Sequence, residues 1–226
     1  MKNEVLKRIL SSIVIIPIAF FFILKGSVFF AFFLVIFFLT TSYEWIKMNK
    51  KISIKSMGVI FLLLTSYSAY LLRDGENSNG LNIFLFVMVI CIFTDIGGYT
   101  FGKLFKGPKL INISPNKTYS GMIGSFVFSA IAASLFMKNL PLISKFMTSL
   151  DMKLSSLNDL NLLFLILFIS FVSQIGDLII SYFKRLSKIK NTGKIIPGHG
   201  GLLDRVDGMI FAFPFSYLIY LTGIFI

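Results

Sequence analysis

Seven apolar runs, parted by short polar gaps, dominate this chain of 226 residues. They cover Ile9–Leu24, Ser27–Tyr43, Met57–Leu72, Ile83–Gly97, Tyr119–Met137, Asn161–Ser187 and Val206–Ile226. A helix needs about 20 apolar residues to cross a bilayer core. In lipid its backbone polar groups must be satisfied within the segment itself. Runs of this kind predict an all-α fold, a polytopic integral membrane helical bundle of about seven transmembrane helices. A half-helix around Leu140–Leu150 would take the count toward eight or nine. Hydrophobic residues make up 56% of the chain and charged ones 14%. About a quarter of an ordinary soluble domain is charged, so a water-soluble globule, a disordered chain and a nucleic-acid-binding domain are all excluded. No polar gap has room for a second domain, and residues 1–226 read as one membrane domain.

The net charge of +12 belongs to the loops. With the N-terminus in the cytoplasm and seven crossings, seventeen of the 22 Lys and Arg fall inside and five outside. That asymmetry follows the positive-inside rule and suits contact with anionic lipid. Lys25-Gly26 follows the first run directly, with no small-x-small cleavage site, so the first two runs read as a retained helical hairpin. Cys91 is the single cysteine, which excludes an internal disulfide and a Cys-based zinc cluster. It reads as a packing residue.

The acidic residues narrow the search for chemistry. Asp74, Glu76, Asp151 and Asp159 fall in short outside gaps and read as solvated loop charges. Glu4 and Glu44 flank helices on the inside and carry no signal of their own. Asp95, Asp177, Asp204 and Asp207 are different. Asp177 lies inside an apolar run, where an ionisable group is expensive unless paired or hydrated. Gln174, Asp177, Ser181 and Lys184 share one helical face, which must look into the bundle or a wet cavity. The competing structural reading is an interhelical hydrogen-bond seam with a snorkelling Lys184.

The stretch from Lys184 to Asp207 strengthens the functional reading. It carries Lys184, Arg185, Lys188, Lys190, Lys194 and Arg205, with the turn Pro197-Gly198-His199-Gly200-Gly201 at its centre. Gly198, Gly200 and Gly201 permit close approach of backbone N–H groups to a ligand. Cations with exposed N–H groups suit phosphate. Carboxylates in the same place suit Mg²⁺, which takes one or two of them plus phosphate oxygens. Together they point to a metal-chelated polyphosphate. A second basic loop, Phe101 to Thr118, follows Asp95 on the same side, and it is not a Walker A sequence.

At these residues the chain resembles the integral-membrane phosphatidate cytidylyltransferases, or CDP-diacylglycerol synthases. The family signature appears as Ser181…Lys184-Arg185, Lys190-Asn191, Pro197…His199-Gly200-Gly201 and Asp204-Arg205-Val206-Asp207. Gly176-Asp177-Leu178 precedes it. Upstream, Thr94-Asp95…Gly98…Phe101-Gly102-Lys103 and Ser114-Pro115-Asn116-Lys117-Thr118 look like the family's other cytoplasmic stretch. The resemblance covers roughly Thr94 to Asp207, the motif-bearing half, residues 94–207. One position departs: Asn191 stands where the family has Asp, keeping size and hydrogen bonding but losing the charge.

The resemblance implies that CTP and phosphatidic acid react to give CDP-diacylglycerol and pyrophosphate, with the membrane lipid as host and no nucleic acid involved. It implies Mg²⁺, with room for a second cation, and leaves room for a homodimer. The expected metal ligands are Asp177 and Asp204, with Asp207 and Asp95 behind them. Lys184, Arg185 and Arg205 are the expected phosphate-binding cations, and Ser181 a further contact. Lys117 and Thr118 are expected near CTP or the lipid head. Gly200 and Gly201 are expected to shape the nucleotide pocket with His199 beside it. The expected location is a bacterial inner membrane with the site on its cytoplasmic side. Three other readings compete. One is a CTP-dependent membrane enzyme acting on another lipid phosphate or a lipid alcohol. The others are an ion-coupled transporter, which the lack of inverted repeats opposes, and a catalytically inactive scaffold, hinted at only by Asn191.

Overall fold

The computed structural model describes residues 2–75, 79–111, 114, 117–146, 159–198 and 200–223. Eight helices lie among them: α1 (Lys2–Lys25), α2 (Ser27–Met48), α3 (Ile52–Asp74), α4 (Gly80–Phe105), α5 (Tyr119–Phe146), α6 (Asp159–Leu186), α7 (Leu203–Val206) and α8 (Met209–Leu221). The protein is an all-helical integral membrane bundle. Five helices, α2 to α6, are long and apolar enough to cross a membrane. The apolar part of α1 and the whole of α8 are shorter.

Two expectations about the helices need correction. The run Val206–Ile226 is not one helix, because α7 ends at Val206 and α8 begins at Met209. Asp207 and Gly208 form the break. Gly208 passes so close to the Ser173 side chain on α6 that a Cβ there would collide with it. The 13 residues of α8 rise only about 20 Å, short of the roughly 30 Å hydrocarbon core. In the other case, α5 continues through Phe146, so Leu140–Phe146 extends α5 and starts no separate half-helix. Residues 147–150 lie outside the described residues.

Helix α4 is the hub, and it packs against α3, α5, α6 and α8. Phe86, Val87 and Ile90 on α4 are fully buried, beside Ala133 of α5, Ile166 and Ile169 of α6 and Phe213 of α8. The lipid-facing helices instead expose Ile13, Phe32 and Leu63. Small residues bring α4 and α5 together, as in other membrane helix pairs. A Cβ on Gly121 would come within 2.8 Å of the Gly98 carbonyl oxygen, and one on Gly98 within 2.8 Å of Ser125 Oγ. Toward the site the core turns polar. Thr94 donates to Ser170 Oγ at 2.8 Å, and Ser125 donates to the Thr94 carbonyl at 2.8 Å. Cys91 is buried here as a packing residue.

At the opposite end, Arg73 closes the joint between α1 and α2. Its guanidinium donates to the carbonyls of Ile23 at 2.8 Å and Leu24 at 3.0 Å, capping α1. It also pairs with Asp74 at 2.7 Å, and Asp74 accepts the Ser27 N–H at 3.0 Å, capping α2. Gly26 supplies the positive φ of 65° that the one-residue joint requires. Asp74 is therefore a half-buried structural anchor and not the solvated loop charge expected. Glu76 and Asp151 lie outside the described residues.

Candidate active site

A cavity of about 310 Å³ opens where α4, α5 and α6 meet the α7 turn. Asp95, Asp177, Asp204 and Asp207 all line it, together with Lys117, Thr118, Tyr99 and Gln174. Three separate segments thus deliver four carboxylates to one place.

Asp177 pairs with Lys117 and accepts a hydrogen bond from Ser181 at 3.2 Å. Both are contacts that the helical spacing and the basic loop made available. Lys184 lies one turn beyond Ser181 and is only 8% exposed. Its Nζ is 3.0 Å from Asp204 Oδ1 and 3.8 Å from Asp207 Oδ2. It is a buried bridge and does not snorkel. Asp204 is densely bonded: Oδ1 takes Lys184, while Oδ2 accepts the N–H groups of Thr192 at 2.8 Å and Gly201 at 3.0 Å. An ionised carboxylate has about four lone-pair sites, and these three bonds among the described residues occupy most of them. Asp207 sits between α7 and α8, where its Oδ1 accepts the Gly208 N–H at 3.1 Å. Burial, then the nearby Asp177 carboxylate, push its carboxyl well above the usual carboxylate range, with Lys184 opposing.

The glycine-rich turn is closed on itself. Ile196 and Gly200 exchange backbone hydrogen bonds at 3.0 and 3.2 Å, with Gly200 at φ 93°. The N–H groups of Gly200 and Gly201 are engaged inside the loop, so neither presents itself to the cavity as a phosphate cradle. Helix α1 holds the turn from outside: Arg8 donates to the Gly198 carbonyl at 2.8 Å and Ser11 to that of Pro197 at 3.0 Å. His199 lies outside the described residues.

The other expected residues spread around the cavity. Thr118 lines it, but its hydroxyl accepts the Gly121 N–H at 3.1 Å and so caps α5. Arg185 is exposed and donates to the Ile189 carbonyl at 3.4 Å. Arg205 is exposed on α7. Neither arginine lies among the cavity-lining residues, nor do Ser181, Lys184, Gly200 and Gly201. Asn191 is exposed at the start of the loop.

Glu44 overturns its bland reading. It is 1% exposed and reaches from α2 into the loop. Its Oε2 accepts the Thr192 hydroxyl at 3.0 Å and the Leu203 N–H at 2.8 Å, and its Oε1 accepts the Leu202 N–H at 3.0 Å. Gly193 and Gly201 make room for it, since a Cβ at either would lie 2.6 or 2.5 Å from its carboxylate oxygens. The signal was present in the sequence, a carboxylate at the end of an apolar run. Its place at the inner flank of that run made it look like an ordinary helix-end charge.

Fold and site define an integral membrane bundle with one cavity that gathers acidic and basic side chains. The chain belongs to the cytidylyltransferase family, whose pattern matches residues 54–222. It is 38% identical over 138 residues to a phosphatidate cytidylyltransferase of Staphylococcus haemolyticus, covering 61% of this chain and 48% of that protein. It is 35% identical over 167 residues to one of Brucella suis, covering 74% and 55%. It is 32% identical over 230 residues to one of Rickettsia bellii, covering 100% and 94%. The chain thus spans about half the length of the first two relatives and nearly all of the third.

Proposed function

We propose that this protein is a CTP:phosphatidate cytidylyltransferase, releasing CDP-diacylglycerol and pyrophosphate. The observation that carries this reading is the convergence of four carboxylates with Lys117 on one cavity at the mouth of a membrane bundle. Family membership and the relatives' names support it.

Both reactants are anionic, so the problem is one of charge and position. An oxygen of the lipid phosphate forms a bond to the α-phosphorus of CTP. The bond from that phosphorus to the oxygen bridging to the β-phosphate breaks, and pyrophosphate leaves with the electron pair. The attacking oxygen is already anionic, so no strong base is required. Lys117 lines the cavity and is the cation positioned to take phosphate oxygens, exchanging its Asp177 partner for substrate, while Lys184 holds Asp204 and Asp207 from behind the lining. Arg185 and Arg205 stand outside the cavity, where incoming polyphosphate first meets positive charge.

The donor set fits Mg²⁺. Among the described residues, no group of three acidic, histidine or cysteine side chains forms a metal cage. Mg²⁺ commonly takes one or two carboxylates and completes its shell with phosphate oxygens and water. Asp177 is the leading ligand, with Asp204 next, and Asp207 and Asp95 behind; all four line the cavity. When bound, the metal offsets charge on the polyphosphate and the leaving pyrophosphate. The positive-inside count supports a cytoplasmic-facing site in a bacterial inner membrane.

The test uses purified protein in mixed micelles with phosphatidic acid, Mg²⁺ and CTP labelled at the α-phosphate. Label should enter the lipid phase only with all three present, and not with labelled ATP, GTP or UTP. A folded protein that binds CTP yet labels no phosphatidate would overturn the choice of lipid.

A further inference from the structure

We infer that Glu44 is a positioning residue for this site, acting through Asp204. The kinetic part of this inference rests on the cytidylyltransfer reading; the structural part does not. Glu44 lies outside the family-matched segment, which begins at residue 54, and outside the cavity lining.

The loop from Thr192 to Asp204 has two carboxylate centres. Asp204 gathers Thr192 N–H and Gly201 N–H from within the loop. Glu44 gathers Thr192 Oγ1, Leu202 N–H and Leu203 N–H from outside it. Thr192 bonds to both, through its N–H to Asp204 and its hydroxyl to Glu44. Leu202 and Leu203 immediately precede Asp204 in the chain. The backbone that carries Asp204, and one of the N–H groups that holds its carboxylate, are therefore both fixed to α2 through Glu44. Trp45, next to Glu44, adds a rigid wall. Its ring packs edge-on to Phe183 at 5.0 Å, and Nε1 donates to the Ile54 carbonyl at 2.9 Å. Helix α2 is thereby fixed both to α6, which carries Lys184, and to the start of α3.

Buried charged acceptors with three donors are expensive to lose. Glutamine at position 44 keeps the size but places an NH₂ group against at least one of the donors. Valine at position 192 removes one donor from the loop side and leaves Glu44 intact. The two changes cut the same link from opposite ends.

The experiment compares wild-type protein, E44Q, T192V and the double variant in detergent. Hydrogen exchange is followed by mass spectrometry on peptides from the loop, α4 and α6. Exchange in the 192–203 stretch of E44Q should accelerate about 10-fold or more, with α4 and α6 unchanged. In the labelled-CTP assay, kcat should fall and the KM for CTP rise, each by about 10-fold. A smaller folded fraction would lower kcat alone. T192V should move the same readouts less, and the double variant should not exceed E44Q. Loop exchange unchanged within about twofold would overturn the inference, as would equal acceleration in α4 and α6. Accelerated loop exchange with unaltered kinetic constants would overturn the positioning role. A wild-type protein that makes no lipid product would instead sink the cytidylyltransfer reading, leaving the exchange data to decide whether Glu44 fixes the loop.

Discussion

Lys184 on α6 and Asp204 on α7 meet at 3.0 Å, with side chains 11% and 9% exposed. The pair joins the polar face of α6 to the signature loop, and Asp207 stands 3.8 Å away on the same ammonium group.

Replacing Lys184 by Met leaves two carboxylates facing each other without their shared cation. Breaking one side of a buried pair costs about 3–5 kcal/mol. K184M should unfold at markedly lower denaturant concentration than wild type. An added K184M/D204N change should recover part of that stability, because it removes the orphaned charge, yet neither variant should label lipid.

Asp177 and Lys117 are more open, at 28% and 24% side-chain exposure. Their pairing contributes little to stability by comparison, about 1 kcal/mol or less. D177N should therefore keep its unfolding midpoint while losing about 100-fold or more in labelled-lipid formation. Titrating Mg²⁺ should show a weakened midpoint in D177N and a near-normal one in a variant remote from the cavity.

The Arg73–Asp74 joint gives the opposite pattern. Arg73 holds two carbonyls of α1 and one carboxylate, far from the cavity. R73M should lose about 2–3 kcal/mol from charged hydrogen bonds. Its specific activity per folded molecule should match wild type, measured after removal of aggregated protein by gel filtration.

Asn191 is exposed and lies beside Gly200, where an added Cβ would come within 3.4 Å of its side chain. Surface changes of this type shift stability by about 0.5 kcal/mol or less. N191D should retain activity within a few-fold of wild type or exceed it. A collapse in turnover would mean that the loop has been rebuilt around the amide.

Apolar periodicity was enough to foresee the class of fold, because lipid leaves a chain few ways to satisfy its backbone. It was also enough to bring Asp177, Ser181 and Lys184 onto one helical face. The spacing of Asp204 and Asp207 marked them as partners in the same region, and the cavity contains both. What escaped were properties of contact between distant segments. Composition does not reveal that Gly208 must pass Ser173 closely, so the break between α7 and α8 was hidden inside an apolar run. Nor does it reveal that Gly200 and Gly201 spend their N–H groups within the loop. Glu44 and Asp74 were misread for a shared reason. Each sits near a helix end, and only the fold shows that backbone N–H groups from distant segments close on its carboxylate.

The bonds of Glu44 span 148, 158 and 159 residues of sequence. A ribosome adding roughly 5–20 residues per second takes about 7–30 s to cover that distance. Throughout that interval α2 exists and its carboxylate has none of its three native donors. The far end of α2 is settled earlier, once Asp74 has been made. Closing the signature loop over Glu44 is thus among the last steps of assembly, and the cavity is completed only after most of the bundle has entered the membrane.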